Sequence, residues 1–180
     1  KNIFKNNKNI IIPSPNKNLS TSKLLTMEWL EGEALNKFYS SNKTIRNKIA
    51  ENLFNAWYYP FYKFGIIHGD PHPGNYTIAN NGKNLNLLDF GCIRIFNPNF
   101  VGGVIRLYRA LLNDNKDEAA KAYKNWGFKN LNSNLVDSLN IWALYLYGPL
   151  LEDKIKKIQD HDGSAYAKEL LGKVRKDLKK

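Results

Sequence analysis

The sequence predicts an α+β protein that is mainly helical, with a small β-element between its helices. Apolar residues recur at helical spacing over residues 42–64 and in four segments beyond residue 96. Between these parts, short apolar runs at residues 76–79 and 85–88 flank an Asn-Asn-Gly-Lys turn, which predicts a β-hairpin. No internal repeat interrupts this order.

The N-terminal elements are weaker predictions. Residues 1–23 are rich in Asn and Lys around an Ile-Ile-Ile-Pro run that begins at Ile10, so we expect one short strand there. Residues 24–30 predict a buried strand that continues into an extended linker ending at Gly32. In the helix predicted over residues 42–64, Pro60 is expected to kink or end the helix, because proline lacks the N–H donor.

The C-terminal half predicts four helices over residues 100–112, 116–126, 135–151 and 164–178. Asp114 is the expected N-cap of the second of these helices, and Gly127 its stop. Residues 141–151 are the most apolar stretch and predict a buried helix. No apolar run reaches the roughly 18 residues that a membrane span needs, although an interfacial membrane role stays open.

A set of polar residues surrounds the predicted hairpin. Asp70 and Asn75 lie on a loop stiffened by Pro71 and Pro73, and Asp89 follows the second strand, which should bring it near Asn75. Mg²⁺ prefers hard oxygen ligands and takes few of them from protein. We therefore predict Asn75 and Asp89 as metal ligands, and Asp70 as the catalytic residue that orients or deprotonates a hydroxyl or water.

The spacing of these residues matches a kinase-type phosphoryl-transfer site, in which an H-x-D-x-x-x-x-N loop precedes D-F-G. His68 begins the loop, and Phe90 and Gly91 complete the second motif. We expect His68 to be structural and to donate a hydrogen bond to the backbone near Asp89. His72 is expected to support the site or to pack beside it.

The two motifs, read together, resemble those of the UbiB family of atypical kinase-like proteins, also called aarF-domain-containing (ADCK) kinases. The resemblance covers residues 20–128 and includes a hinge-like Met-Glu-Trp-Leu-Glu-Gly segment. The loop and D-F-G residues that carry the resemblance are His68, Gly69, Asp70, His72, Asn75, Asp89, Phe90 and Gly91.

The resemblance implies a protein-kinase-like fold that binds ATP with Mg²⁺ or Mn²⁺. Residues 1–31 would be the last N-lobe strands and the hinge, and residues 32–180 a mainly helical C-lobe. Met27 would precede the hinge, while Glu28 would offer a carbonyl and Leu30 an N–H to adenine.

The same resemblance implies an atypical kinase or ATPase linked to ubiquinone (isoprenoid quinone) biosynthesis or lipid homeostasis. The sequence contains no glycine-rich phosphate loop and no V-A-I-K lysine. We therefore expect the chain to be a fragment whose full-length protein is the enzyme. The segment after Gly91 is too short to hold a peptide substrate. It favours a small-molecule or lipid (quinone-precursor) substrate, or ATP hydrolysis that drives a conformational change.

Other classes stay open. The chain could be an aminoglycoside or choline phosphotransferase, since these enzymes share the His-Gly-Asp motif. It could also be a natural one-lobe, non-catalytic pseudokinase, which would keep the same fold. A metallohydrolase could use His68, Asp70 and His72 as Zn²⁺ ligands.

Composition bears on the partners and the compartment. The net charge is +11, but Lys and Asn are enriched throughout, and no basic run is interleaved with aromatic residues. We therefore predict no nucleic-acid partner, whereas peripheral association with an anionic membrane stays possible. Cys92 is the only cysteine, which suits the reducing cytoplasm and excludes an internal disulfide.

Overall fold

The computed structural model divides the chain into two compact units, residues 1–96 and residues 97–180. The structure describes residues 1–154 together with Gly172. Apart from Gly172, the helix predicted over residues 164–178 lies outside the described residues. The boundary predicted between the N-lobe and hinge residues 1–31 and the C-lobe residues 32–180 is a different division of the chain, and it stays a prediction.

Six short strands form two sheets in the first unit. They are β1 (Ile10–Ile11), β2 (Glu33–Ala34), β3 (Ile66–His68), β4 (Tyr76–Ala79), β5 (Asn84–Leu87) and β6 (Ile93–Ile95). One sheet has the order β1-β5-β4-β2, and β3 pairs with β6 in the other.

The predicted hairpin and the strand at Ile10 are confirmed. Strands β4 and β5 are antiparallel, with Tyr76 opposite Leu87, and β1 joins β5 in parallel. The turn between β4 and β5 places Asn80, Asn81 and Gly82 at φ values of 51°, 54° and 90°. Asparagine and glycine tolerate this left-handed region better than other residues, which is why the Asn-Asn-Gly turn forms here.

The long helix α1 (Lys43–Phe64) packs on the four-stranded sheet. Its N-cap is Asn42, whose Oδ1 accepts a hydrogen bond from the Ile45 N–H, and it ends at Gly65 with φ 67°. Pro60 lies inside the helix, so it does not end it as one expectation allowed. The buried apolar residues shared by the helix, the sheet and the N-terminal segment are Phe4, Ile10, Ile49, Ala56, Tyr76, Ile78, Leu85 and Leu87.

The prediction of a buried strand over residues 24–30 is wrong. Leu24 and Trp29 are 59% and 83% exposed, and the segment makes a single β-bridge, from Met27 to Pro15. Its other hydrogen bonds join it to residues 14–16 and to residues 19–21, so it folds back on the N-terminal segment and does not join either sheet. Apolar composition predicted burial here, but burial also requires a packing partner.

Three helices form the described part of the second unit, α2 (Pro98–Leu112), α3 (Lys116–Asn125) and α4 (Ser133–Leu151). All three were predicted, with boundaries that differ by one or two residues. The expected cap is wrong, because Asp114 adopts φ 48° and the Asn115 side chain accepts from the Glu118 N–H instead. The three helices share one hydrophobic core, formed by Leu107, Ala110, Ala119, Ala122, Tyr123, Leu135, Val136, Leu139 and Ala143.

The prediction that the apolar stretch of α4 is buried is also wrong. One face of α4 contributes to the core, whereas Ile141, Leu144 and Leu146 are 49%, 46% and 54% exposed. Among the described residues, no helix is both long enough and apolar enough to cross a membrane.

Candidate functional site

The candidate catalytic loop begins at the end of the β3–β6 ladder. The Gly69 N–H donates to the Cys92 carbonyl at 2.6 Å, directly beyond the His68–Ile93 pair of the ladder. A Cβ at Gly69 would lie 2.9 Å from both the Cys92 carbonyl oxygen and Sγ. Glycine therefore permits this close approach, which places the first loop residue, Asp70, beside the segment that carries Asp89.

Asp70 is held as an anion by neighbours in its own loop. Its Oδ2 accepts from the Asn75 side-chain amide at 3.1 Å, and its Oδ1 from the His72 N–H at 3.2 Å. These hydrogen bonds, the one from Asn75 above all, hold the pKa of the Asp70 carboxyl below its usual value. Asp70 therefore carries its negative charge at neutral pH.

The orientation of Asn75 follows from the same contacts. Its Nδ2 donates to both the backbone oxygen and the Oδ2 of Asp70, at 3.2 and 3.1 Å. Since the amide nitrogen is used on Asp70, the amide oxygen is the atom left to act as a ligand. Asn75 also accepts at its backbone carbonyl from the Leu88 N–H, at 3.0 Å, one residue before Asp89.

His68 links the two loops, as the sequence predicted. Its Nε2 lies 2.6 Å from the Asp89 carbonyl oxygen, and its Nδ1 accepts from the Asp70 N–H at 3.2 Å. Because Nδ1 accepts, Nε2 is the nitrogen that carries hydrogen and donates. His68 is 9% exposed, and its two hydrogen bonds couple the backbone positions of Asp70 and Asp89.

Two aromatic side chains behind His68 were not singled out by the sequence. The rings of Trp57 and Tyr76 lie 6.5 and 6.3 Å from that of His68 between centroids, and the Trp57 indole N–H donates to the Tyr76 hydroxyl at 2.9 Å. The two residues are 19 positions apart, so no local pattern pairs them.

Asn75 and Asp89 line one recess of about 550 Å³. Asp89 is exposed, and its Oδ1 accepts from the Gly91 N–H at 2.7 Å, which leaves Oδ2 for another partner. The lining residues of this recess are Leu25, Gly74, Asn75, Leu88, Asp89, Phe90 and Gly91. The structure thus brings Asn75 and Asp89 together, and Asp70 joins them through its hydrogen bond to Asn75.

The predicted adenine-binding residues Met27, Glu28 and Leu30 do not line this recess, although Leu25 does. The Glu28 carboxylate accepts from the Ser14 N–H at 3.1 Å. The hydrogen bonds with Ser14, more than the nearby Lys1 ammonium, lower the pKa of Glu28. The adenine contacts of Met27, Glu28 and Leu30 stay a prediction.

His72 has a local role that the sequence left open. Its Nδ1 accepts from the Gly74 N–H at 3.1 Å and caps the short 3-10 turn Pro73–Asn75. With this nitrogen and both nitrogens of His68 engaged, the His68–Asp70–His72 arrangement is a poor Zn²⁺ site.

The recess offers a metal ion a small number of ligand atoms, all of them oxygens. Among the described residues, no cluster of three or more His, Cys, Asp or Glu side chains could hold a metal. The Asn75 and Asp89 oxygens nevertheless fit Mg²⁺, which takes one or two protein ligands and completes its shell with phosphate and water. These donors suit a metal that is bound together with a nucleotide.

A loop aspartate, an asparagine and a D-F-G aspartate beside a hairpin are the parts of a kinase-like phosphoryl-transfer site. The model of the ABC1 atypical kinase-like domain matches residues 1–123. The chain belongs to this family.

Curated relatives agree with the family assignment. An uncharacterized chloroplastic aarF domain-containing protein kinase of Arabidopsis thaliana is 31% identical over 120 residues, which are 67% of this chain and 16% of the relative. AarF domain-containing protein kinase 1 of Xenopus laevis is 30% identical over 105 residues, 55% of this chain and 20% of the relative. The chain thus spans about a sixth to a fifth of the length of these relatives.

A solved structure supports the fold. The Mycobacterium tuberculosis protein Rv3197, determined as a complex with erythromycin, aligns with a TM-score of 0.56 and 15% identity over 96% of this chain and 49% of that one. Together with the family match, this likeness confirms the predicted α+β, kinase-like fold.

Proposed function

We propose that this chain carries the metal-binding and catalytic loops of an atypical kinase or ATPase, which binds ATP with Mg²⁺ or Mn²⁺. The supporting observation is the orientation of Asn75. Its amide nitrogen is fixed on Asp70, so its oxygen is available in the recess that Asp89 also lines. A chain of the ABC1 family with all three side chains in this arrangement has the metal-binding and nucleophile-orienting residues of a metal-dependent phosphoryl-transfer site.

Each residue has a distinct part in the proposed mechanism. The Asn75 and Asp89 oxygens would hold the metal, which when bound supplies positive charge to the phosphate oxygens. Asp70 is anionic and accepts a hydrogen bond from the attacking hydroxyl or water. Because its pKa is lowered, Asp70 is a weak base, and orientation of the nucleophile is its main contribution. His68 keeps the two loops in register through its two hydrogen bonds.

Metal-dependent nucleotide binding tests this assignment. We expect Asp89→Asn to abolish the Mn²⁺-dependent part of ATP affinity in calorimetric titrations, and Asn75→Ala to weaken it less, since water can replace one oxygen. Asp153→Asn makes the same charge change at an exposed position outside the recess and should bind like the wild type. Unchanged metal-dependent affinity in Asp89→Asn would refute the proposed site.

Turnover is a separate expectation. The sequence holds no glycine-rich phosphate loop and no V-A-I-K lysine, and positioning and charge stabilisation supply most of phosphoryl-transfer catalysis. The 180-residue chain should therefore bind metal and nucleotide without steady ATP hydrolysis. Steady hydrolysis by this chain that disappears in Asp70→Ala would show that it is catalytically sufficient.

We further propose that the acceptor is a small or lipid-like molecule, such as an isoprenoid quinone precursor, reached by a cytoplasmic protein at an anionic membrane. Helix α2 begins at Pro98, seven positions after Gly91, which leaves little chain on which to lay a peptide. The net charge of +11 and the exposed apolar residues of α4 suit a membrane surface.

The competing acceptor is a protein, since the relatives are named protein kinases. Co-sedimentation with anionic and neutral liposomes, ATPase assays with a phenolic quinone-precursor mimic, and a peptide panel separate the two possibilities. We expect salt-sensitive binding to anionic liposomes and a rise in ATPase activity of the full-length protein. Peptide phosphorylation at kinase-like rates, without a lipid response, would contradict this proposal.

A further inference from the structure

A groove lies in the second unit, between α2 and the start of α3. It has a volume of about 480 Å³, within the range of small-molecule sites. Its lining residues on α2 fall at spacings of three and four, so they form one face of that helix. The groove is lined by Gly102, Ile105, Arg106, Arg109, Ala110, Asn113, Asn115 and Glu118.

The charges in this groove do not balance. Glu118 is the acidic residue of the lining, and its carboxylate lies 2.6 Å from the Lys121 Nζ and 3.7 Å from the Arg106 Nε. Arg109 is exposed and makes no ion pair with any residue in the described part of the chain. One carboxylate is thus shared between two cations, and the guanidinium of Arg109 is left for an external anion.

The backbone around Arg109 is held in place. The Asn113 Nδ2 donates to the Arg109 carbonyl at 2.9 Å, and the Asn115 side chain caps α3 by accepting from the Glu118 N–H at 3.0 Å. The last turn of α2 and the first turn of α3 are therefore closed by side-chain hydrogen bonds. The arginine stems start from an ordered backbone, which reduces the ordering that a ligand must impose.

Two adjacent glycines on α2 differ in their surroundings. A Cβ at Gly103 would lie 2.6 Å from the Trp126 Nε1, so packing explains this glycine. A Cβ at Gly102 would have no atom within 4 Å, although Gly102 lines the groove. Glycine inside a helix is less stable than alanine, and no contact of Gly102 offsets that cost. Its one evident consequence is to keep the groove open.

We propose that this groove binds a small phosphorylated molecule, a phosphate monoester whose oxygens meet Arg106 and Arg109. Two guanidinium groups one helical turn apart offer more donors than one carboxylate can accept, whereas a phosphate dianion has three terminal oxygens. The space at Gly102, beside Ile105, takes the organic part of the ligand. This site lies wholly in the second unit and does not depend on the proposed function of the catalytic loop.

Three matched probes test the ligand class with the whole 180-residue chain. Phenyl phosphate, benzoate and benzyl alcohol share an aromatic ring but differ in charge and in the number of oxygens. We expect phenyl phosphate to shift the ¹⁵N NMR signals of the Arg106 and Arg109 side chains, benzoate to bind more weakly, and benzyl alcohol not to bind. Benzoate affinity equal to that of phenyl phosphate would overturn the phosphate assignment.

Variants test the location. Arg109→Gln should weaken phenyl phosphate binding by about tenfold or more, because a charge-assisted fork is lost. Lys124→Gln removes the same charge from an exposed position of α3 outside the groove and should leave binding unchanged. Equal losses in the two variants would show non-specific attraction and overturn the site.

Gly102 gives a variant that separates binding from folding. Gly102→Ala should raise the melting temperature and lower phenyl phosphate affinity, and Gly102→Leu should lower the affinity further while the protein stays folded. Wild-type affinity in Gly102→Leu would place the ligand elsewhere and contradict the proposal.

Discussion

Gly69 provides a test of how tightly the two loops of the candidate site are held together. In Gly69→Ala the new Cβ would lie 2.9 Å from the Cys92 carbonyl oxygen and Sγ, so each has to recede by about 0.5 Å to reach ordinary contact. The Gly69 N–H to Cys92 carbonyl hydrogen bond of 2.6 Å lies at the same point. The substitution therefore separates β3 from β6 where Asp70 and Asp89 are held together.

The expected cost is that of overpacking, about 1–3 kcal/mol of unfolding free energy. Native-state hydrogen exchange reports this cost locally, through the amides of Gly69 and Phe96, whose acceptors are the Cys92 and Gly65 carbonyls. Their exchange rates should rise by about 5- to 150-fold. Mn²⁺ affinity should fall by about tenfold or more, since the support of the metal-binding residues is displaced.

Cys92→Ala supplies the control. In the double variant Gly69→Ala, Cys92→Ala, the Sγ contact is gone but the carbonyl contact remains, so exchange protection should recover only in part. Cys92→Ala alone should have a small effect, because the thiol is only half-buried. Wild-type exchange and wild-type Mn²⁺ affinity in Gly69→Ala would refute the close approach on which the site depends.

Three further predictions concern single contacts. Asn75→Ala should raise the pKa of Asp70 in a ¹³C NMR titration, because the hydrogen bond from Asn75 is the largest cause of the lowered pKa. In the wild type, the lowered pKa of Asp70 stabilises the folded state at any pH above the carboxyl pKa of the unfolded chain. This stabilisation is lost as the pH falls through the lower pKa of the folded state. An unchanged titration would contradict the contact. Trp57→Phe and Tyr76→Phe should each lower the free energy of unfolding by about 1 kcal/mol in urea denaturation. The double variant should lose less than the sum of the two, since both substitutions remove the same hydrogen bond, and strictly additive losses would argue against that bond. Asn115→Ala should destabilise the second unit by about 1 kcal/mol in thermal denaturation, and an unchanged melting temperature would show that this side chain is not the cap of α3.

Local signals in the sequence were sufficient for most elements of the fold. The Asn-Asn-Gly turn between apolar runs predicted β4 and β5, and the helical spacing of apolar residues over residues 42–64 predicted α1. Burial was harder to predict, because it depends on what packs against an element. Leu24 and Ile141 belong to apolar segments but are exposed, since no described element covers them. Asp114 and Asn115 are both good caps, and only the backbone conformation decides between them.

In the candidate site, too, the sequence predicted which residues lie together but not the detailed orientation of their side chains. Motif spacing was enough to predict that Asn75 and Asp89 lie together and that His68 contacts the backbone at Asp89. Spacing could not show that the Asn75 amide nitrogen faces Asp70, because this orientation is set by side-chain geometry. Nor could it pair Trp57 with a residue 19 positions away.

The central claim is that the Asn75 and Asp89 oxygens form the metal site, and paramagnetic relaxation by Mn²⁺ tests it most directly. Substoichiometric Mn²⁺ should broaden the Asn75 side-chain amide and the Gly91 backbone amide of the ¹⁵N-labelled chain before other signals, and Asp89→Asn should remove this effect. Strongest broadening beside other carboxylates, such as Glu28 or Asp137, with the Asn75 amide unaffected, would contradict it.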